Sequence, residues 1–305
     1  MVIWGFGLTI FNGEIIMQEH TKHNQFVSQL MRYCSGLRKL RQTYLEEPKL
    51  TRHLLNLIPA FVNGSVYSKD WNSDNTDTCP NIIKSSHGKS MEITNPLKLY
   101  IDSHKEGKGV HKSSNYFDIY HTHFDIFRGR DVHVLEIGVH SGVSLEMWHD
   151  YFGSKCHVYG IDVHPACKAH EDDRTEIFIG DQGDRAFWKD FKDKVPTIDI
   201  VIDDGGHLPE QQIITLEEML PHIRPGGIYL CEDILSDQFT AFLFGLMNAL
   251  NVINRNEDST ASKATHFQSS INSVHLYPFV AVIQKNDRPI NEFSSVRGGT
   301  EWLPY

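Results

Sequence analysis

Four carboxylates and one histidine are the most chemically suggestive residues in this 305-residue chain. Two apolar runs end in acidic pairs: Ile198-Asp-Ile-Val-Ile-Asp203-Asp204-Gly-Gly-His207 and Ile228-Tyr-Leu-Cys-Glu232-Asp233. If both runs are neighbouring strands, four carboxylates crowd one rim. Negative charges that close repel, and no Arg or Lys within the same motifs neutralises them, so a divalent cation is the economical solution. An oxygen-only set points to a hard ion such as magnesium, which keeps waters and accepts substrate oxygens. The competing reading has these acids capping helices and pairing with distant bases. His207 follows Asp204 by three residues. A neutral imidazole there can take the proton of a hydroxyl acidified by the ion. Orienting the Asp203-Asp204 turn is an equal alternative, because 18 histidines are scattered along the chain.

A second group of residues describes a cradle. Val132-His-Val-Leu-Glu136-Ile-Gly138-Val-His-Ser141-Gly142 reads as a strand, a glycine turn and the start of a helix. Val134, Leu135 and Ile137 suit a parallel strand buried on both faces. Gly138 and Gly142 permit a sharp turn and close approach of a ligand, and Ser141 is placed to cap a helix carrying Val143, Met147 and Trp148. A dinucleotide fingerprint would need a third glycine, as G-x-G-x-x-G, where this chain has His140. The form Glu-x-Gly-x-x-x-Gly instead resembles the first motif of class I S-adenosylmethionine methyltransferases, whose cofactor has no phosphate to cradle and whose acidic strand-end residue faces the cationic methionine end. An ordinary strand-to-helix turn is the plainer alternative. Two further runs also end in acid. Asp162 follows Gly138 at about the spacing of a carboxylate that accepts both ribose hydroxyls. Asp181 and Gln182, closing Glu176-Ile-Phe-Ile-Gly-Asp-Gln, can meet the edge of an adenine.

These motifs have to be positioned by strands alternating with helices, the pattern of a doubly wound, mostly parallel α/β sheet with ligand sites at the strands' carboxyl ends. Residues 272–284 predict a closing antiparallel hairpin, and Pro225-Gly226-Gly227 a turn before the fifth strand. Upstream, Tyr100-Ile-Asp-Ser-His-Lys-Glu-Gly-Lys108-Gly-Val-His111 leads into an aromatic helix with Tyr116, Phe117, Tyr120 and Phe124. Its glycine-lysine loop can close over a ligand or simply lie solvated beside a helix packed on the core. Residues 18–44 and 50–61 have helical periodicity, and 63–90 read as a polar linker. The expected organisation is a helical N-terminal extension with linker over 1–90 and a Rossmann-like domain over 91–305.

Composition sets outer bounds. A net charge of −10 and a pI near 6.0 disfavour nucleic-acid binding through a broad basic face. Five scattered cysteines without a C-x-x-C pair indicate neither a disulfide framework nor zinc, and fit reduced thiols in a cytoplasmic protein. The opening 17 residues lack a basic n-region and are too short to span a bilayer, so no membrane association is expected.

Taken together, Glu-Ile-Gly-Val-His-Ser-Gly, Gly-Asp-Gln at 180–182, Ile-Asp-Asp-Gly-Gly-His, Arg-Pro-Gly-Gly-Ile-Tyr-Leu-Cys-Glu-Asp and Ser-Val-His-Leu-Tyr-Pro resemble the metal-dependent sugar O-methyltransferases of macrolide biosynthesis and their cephalosporin-hydroxylase-like relatives. The resemblance spans residues 95–284. It implies a class I methyltransferase fold, S-adenosyl-L-methionine, Mg2+ and methylation of a hydroxyl on a small molecule such as a glycoside or polyketide. By motif, it implies Asp204, Glu232 and Asp233 as metal ligands and His207 as general base. Glu136, Gly138, Ser141, Gly142, Asp162, Asp181 and Gln182 form the expected cofactor site. Lys108 and His111 match the Lys and His of a family loop covering the site, but Gly107 stands where that loop has Asp. A homo-oligomer is compatible with these features. The rival expectations are a nicotinamide-dependent oxidoreductase, disfavoured by the missing third glycine, and a non-catalytic cofactor-binding scaffold.

Overall fold

The computed structural model describes residues 95–252, 262–296 and 298–299, and the backbone of three short N-terminal strands. Contacts divide the chain into two units, Met1–Ser90 and Met91–Tyr305. In the first, β1 (Val2–Ile3), β2 (Leu8–Phe11) and β3 (Glu14–Met17) form an antiparallel sheet in that order. The helices expected over 18–44 and 50–61, and the linker over 63–90, lie outside the described residues.

The second unit is built on seven strands: β4 (Val132–Ile137), β5 (Cys156–Asp162), β6 (Thr175–Ile179), β7 (Ile198–Asp203), β8 (Ile223–Cys231), β10 (Ile271–Tyr277) and β11 (Val280–Lys285). Their order across the sheet is β10-β11-β8-β7-β4-β5-β6. The five strands β4 to β8 are parallel, and the hairpin β10–β11 joins antiparallel beside β8. Two short strands, β9 (Ser262–Lys263) and β12 (Glu292–Phe293), pair with each other. The chain winds from β4 outward to β6, then returns to β7 on the other side of β4. The gap between β4 and β7 is therefore the topological switch point, where ligands of such sheets bind.

Period-two alternation along the strands supplies two cores. One face gathers Val134, Val158, Ile200 and Leu230 against α2 (Tyr116–Phe124) and α3 (Val143–Phe152), where Tyr120, Phe124 and Trp148 are fully buried. The other gathers Leu135, Ile161, Val201 and Tyr229 against α4 (Arg185–Lys192), α5 (Pro209–Met219) and α6 (Asp237–Leu250). Truncating Trp148 to alanine would cost about 3–5 kcal/mol. Asn95 caps α1 (Pro96–Ser103) by accepting from Leu97 N, and ties it to α2 by donating to Phe117 O.

Pro225-Gly226-Gly227 differs from expectation. It lies inside β8, whose pairing with β7 shifts register between Ile198 and Ile200. At Gly227 a Cβ would sit 2.6 Å from Asp199 O, so this passage through the sheet requires glycine. Among the described residues no helix is long and apolar enough to cross a membrane.

Candidate functional site

One residue past each strand, single hydrogen bonds extend the ladder and align the carboxyl ends. Gly138 N donates to Ile161 O at 2.8 Å, Asp204 N to Ile137 O at 3.0 Å, Glu232 N to Asp203 O at 2.9 Å and Gly180 N to Asp162 O at 3.0 Å. The acidic residues that follow the strands thus meet at one rim. Asp162, Asp181, Asp204 and Asp233 border a cavity of about 650 Å3, a size suited to a cofactor.

The cradle forms its floor. Gly138 has φ +94, and a Cβ there would lie 2.0 Å from Asp204 O, so the turn closes directly onto β7 only because no side chain intervenes. Gly142, with φ +76, is the N-cap of α3, and its missing side chain makes room for the His170 ring. Ser141 does not cap the helix as expected. Its hydroxyl donates to Gly109 O at 2.6 Å and pins the preceding loop beside the cavity.

Asp162 accepts from the backbone N–H groups of Val139 at 3.1 Å, His140 at 3.0 Å and His164 at 2.8 Å. Burial acts to raise its pKa, but these donors outweigh burial and hold the carboxyl below its ordinary range. Asp181 accepts from Gly183 N and Gln211 Nε2. Gln182 departs from expectation: its amide donates inward to Asp203 and Thr215 and accepts from Gly206 N, and its backbone carbonyl accepts from Trp188 Nε1 at 2.8 Å, so of its polar groups the backbone N–H is the one left for an adenine.

The rim divides by alternation. Asp203 turns away from the cavity and accepts from Gln182 Nε2 at 2.9 Å and Tyr229 OH at 2.9 Å. Burial pushes its pKa up to about 6 against those two donors. Not four carboxylates but three, Asp204, Glu232 and Asp233, therefore face the rim side. Asp204 and Asp233 line the cavity with His207. His207 Nε2 stands 3.9 Å from Asp204 Oδ1 and 3.7 Å from Asp233 Oδ2, and its Nδ1 is buried without a hydrogen-bond partner. These three residues can present ligand atoms all within 4.8 Å of one another, so they fit a divalent ion. Glu232 sits deeper, with a side chain only 1% exposed.

Lys112 was not foreseen. Its Nζ donates to Asp204 Oδ2 at 2.6 Å and to both oxygens of Glu232 at 3.0 Å, and lies 3.6 Å from Glu136 Oε1. Burial opposes its charge, but Glu232, Glu136 and Asp204 hold its pKa above the usual lysine range. Glu136 is fully buried, and neither of its oxygens has a hydrogen-bond partner. Burial raises its pKa to about 7 in spite of Lys112. Burial likewise raises Glu232, opposed by Lys112 and by Tyr120, whose hydroxyl donates to it at 2.5 Å. Tyr116 OH donates to Asp233 Oδ1 at 2.5 Å. The aromatic face of α2 is therefore both core and rim support. Of the loop residues, Lys108 turns outward to Glu146 at 3.2 Å, whereas His111 and Lys112 border the cavity.

Backbone strain is concentrated here. His140, His207 and Asp233 have φ of 46°, 55° and 48°, and all three line the cavity. Non-glycine residues are held in this region at a cost of order 1–3 kcal/mol each, typically where a site must be shaped.

Residues 135–234 match the family model described as a methyltransferase domain. The MycE methyltransferase of the mycinamycin biosynthetic pathway, solved with Mg, S-adenosylhomocysteine and mycinamycin VI, superposes with a TM-score of 0.52 at 27% identity, covering 63% of this chain and 53% of that one. The chain has the class I methyltransferase fold. Among curated relatives of this domain, an 8-demethyl-8-alpha-L-rhamnosyl tetracenomycin-C 2'-O-methyltransferase of Streptomyces olivaceus is 37% identical over 141 residues, 44% of this chain and 36% of its own length. Demethylmacrocin O-methyltransferase of Streptomyces fradiae is 29% identical over 208 residues, 61% of this chain and 50% of its own length. The chain thus spans half or less of these curated relatives' length.

Proposed function

We propose that this chain is an S-adenosyl-L-methionine- and Mg2+-dependent O-methyltransferase acting on a hydroxyl of a small molecule, a glycoside or polyketide. The observation that carries this reading is the meeting, in one cavity, of the Gly138–Asp162 cradle with the Asp204–His207–Asp233 cluster. The relatives' O-methyltransferase activities and MycE's bound Mg and S-adenosylhomocysteine support it.

In this reading Gly138 and Ser141 leave space for the cofactor, Asp162 accepts ribose hydroxyls, Asp181 and the backbone N–H of Gln182 meet the adenine, and Glu136 supplies negative charge beneath the cradle. Gly142 shapes the turn from behind the wall. Asp204 and Asp233, which line the cavity, would hold the ion. Bound there, a divalent cation lowers the pKa of an acceptor hydroxyl. His207 would take the proton of the acceptor hydroxyl, and S-adenosyl-L-methionine held in the cradle would supply the methyl group. We place the protein in the cytoplasm, a setting compatible with the unpaired, buried Cys156, Cys167 and Cys231.

Calorimetry on the intact chain tests the cofactor. S-adenosylhomocysteine is expected to bind and NAD to give no heat; the reverse result would make this an oxidoreductase scaffold. EDTA should abolish methyl transfer and Mg2+ should restore it, whereas full turnover in chelated buffer would remove the ion.

A further inference from the structure

The acidic rim already contains a cation to which the reading above gives no task. Lys112 is 4% exposed in its side chain, and among the described residues it is the only Lys or Arg ion-paired with Glu136, Asp204 or Glu232. Its contacts at 2.6 Å to Asp204 and 3.0 Å to Glu232 are those of charge-assisted hydrogen bonds. A magnesium ion shared by the same two carboxylates would need oxygens of both at about 2.1 Å, in the space the ammonium fills. Two like charges cannot occupy it together.

Position sorts the acids into two sets. Asp204 and Asp233 line the cavity, while Glu136 and Glu232 do not. Glu232 is occupied on both oxygens by Lys112 and on one also by Tyr120. We propose that Lys112 is a resident counter-cation that withholds Glu232 from the divalent ion and confines the ion to the cavity-facing carboxylates Asp204 and Asp233, beside His207. The inference rests on the metal-assisted reading above, and assigns Glu232 the task of holding Lys112 rather than ligating. Its consequence is a weakened ion site: one local carboxylate is neutralised, and a positive charge stands next to another.

The test is calorimetric titration of the intact chain with MgCl2, without cofactor. Lys112→Met removes the ammonium at nearly constant length and frees Glu232, so Mg2+ affinity should rise by about tenfold or more. Because that variant leaves buried carboxylates without a counter-charge, Lys112→Gln, which keeps a hydrogen-bond donor, carries the same expectation. Replacing Glu232 as well, in Lys112→Met/Glu232→Gln, should cancel the gain, the coupling a double-mutant cycle isolates. Unchanged or weaker Mg2+ affinity in both neutral variants would overturn the role given to Lys112, and so would a gain that survives loss of Glu232. S-adenosylhomocysteine binding, measured in the same samples, separates these failures from failure of the methyltransferase reading. Absence of Mg2+ binding in every protein would overturn the metal-assisted reading and this inference with it.

Discussion

The carboxylate of Asp162 accepts the backbone N–H of His140 at 3.0 Å, although His140 belongs to the turn after β4 and Asp162 ends β5. With Val139 N bound to the same oxygen, the carboxylate is the clasp that holds the glycine turn against the second strand. A residue read as a ribose acceptor is thus also a structural part of the cradle. Asp162→Ala should weaken S-adenosylhomocysteine binding by about tenfold or more and lower stability by about 1–3 kcal/mol, the cost of stranding these donors. Calorimetry and urea denaturation check the two effects separately; a loss of stability with unchanged affinity would leave Asp162 only its structural role.

Gly138 makes the opposite kind of contribution, through what it lacks. With φ +94 and a Cβ position 2.0 Å from Asp204 O, Gly138→Ala forces β4 and β7 apart at the switch point. We expect a loss on the order of 2–4 kcal/mol in chemical denaturation. A variant as stable as the parent would show that the two strand ends do not approach this closely.

Glu136 predicts a pH dependence. Its folded-state pKa is raised to about 7 from 4.5 by burial. Between those values the folded protein retains a proton that the unfolded chain has released, so stability falls as pH rises through that window and levels off above it. Glu136→Gln cannot titrate and should lack this fall. Relative to the parent it should gain on the order of 3 kcal/mol from pH 4.5 to above pH 7, read from denaturation curves. Parallel pH profiles would mean that Glu136 is charged and compensated throughout.

Much of this arrangement is legible in the sequence, and the missing parts share a physical cause. Apolar runs closed by Asp162, Asp181, Asp204 and Glu232 mark strand ends, because the carboxyl end of a parallel strand is where a buried sheet gives way to a polar rim. Direction is harder to read. Asp203 and Asp204 are neighbours in sequence but opposite in facing, and Gln182 is spent on Asp203 instead of the cavity. Lys112 is separated from Glu232 by 120 positions, and nothing in either motif announces their pairing. Ser141 reads as a cap by residue type, yet the left-handed turn at Gly142 takes the cap position and frees the hydroxyl for Gly109.

In the proposed reaction His207 is the general base. His207→Ala should reduce methyl transfer by roughly a hundredfold or more while leaving S-adenosylhomocysteine affinity within about twofold. Because the residue has φ 55, His207→Asn, which tolerates that conformation better, guards against a purely conformational effect. Undiminished turnover in both variants would return His207 to orienting its turn.

The central claim is that the hollow above Gly138 is a cofactor site adjoining the acidic rim. A crystal structure of the intact protein grown with S-adenosylhomocysteine and MgCl2 tests it most directly. The account predicts the nucleoside in the cavity with its ribose hydroxyls on Asp162, and an ion on Asp204 and Asp233. A ligand bound elsewhere, or a cavity that stays closed to it at saturating concentration, would contradict it.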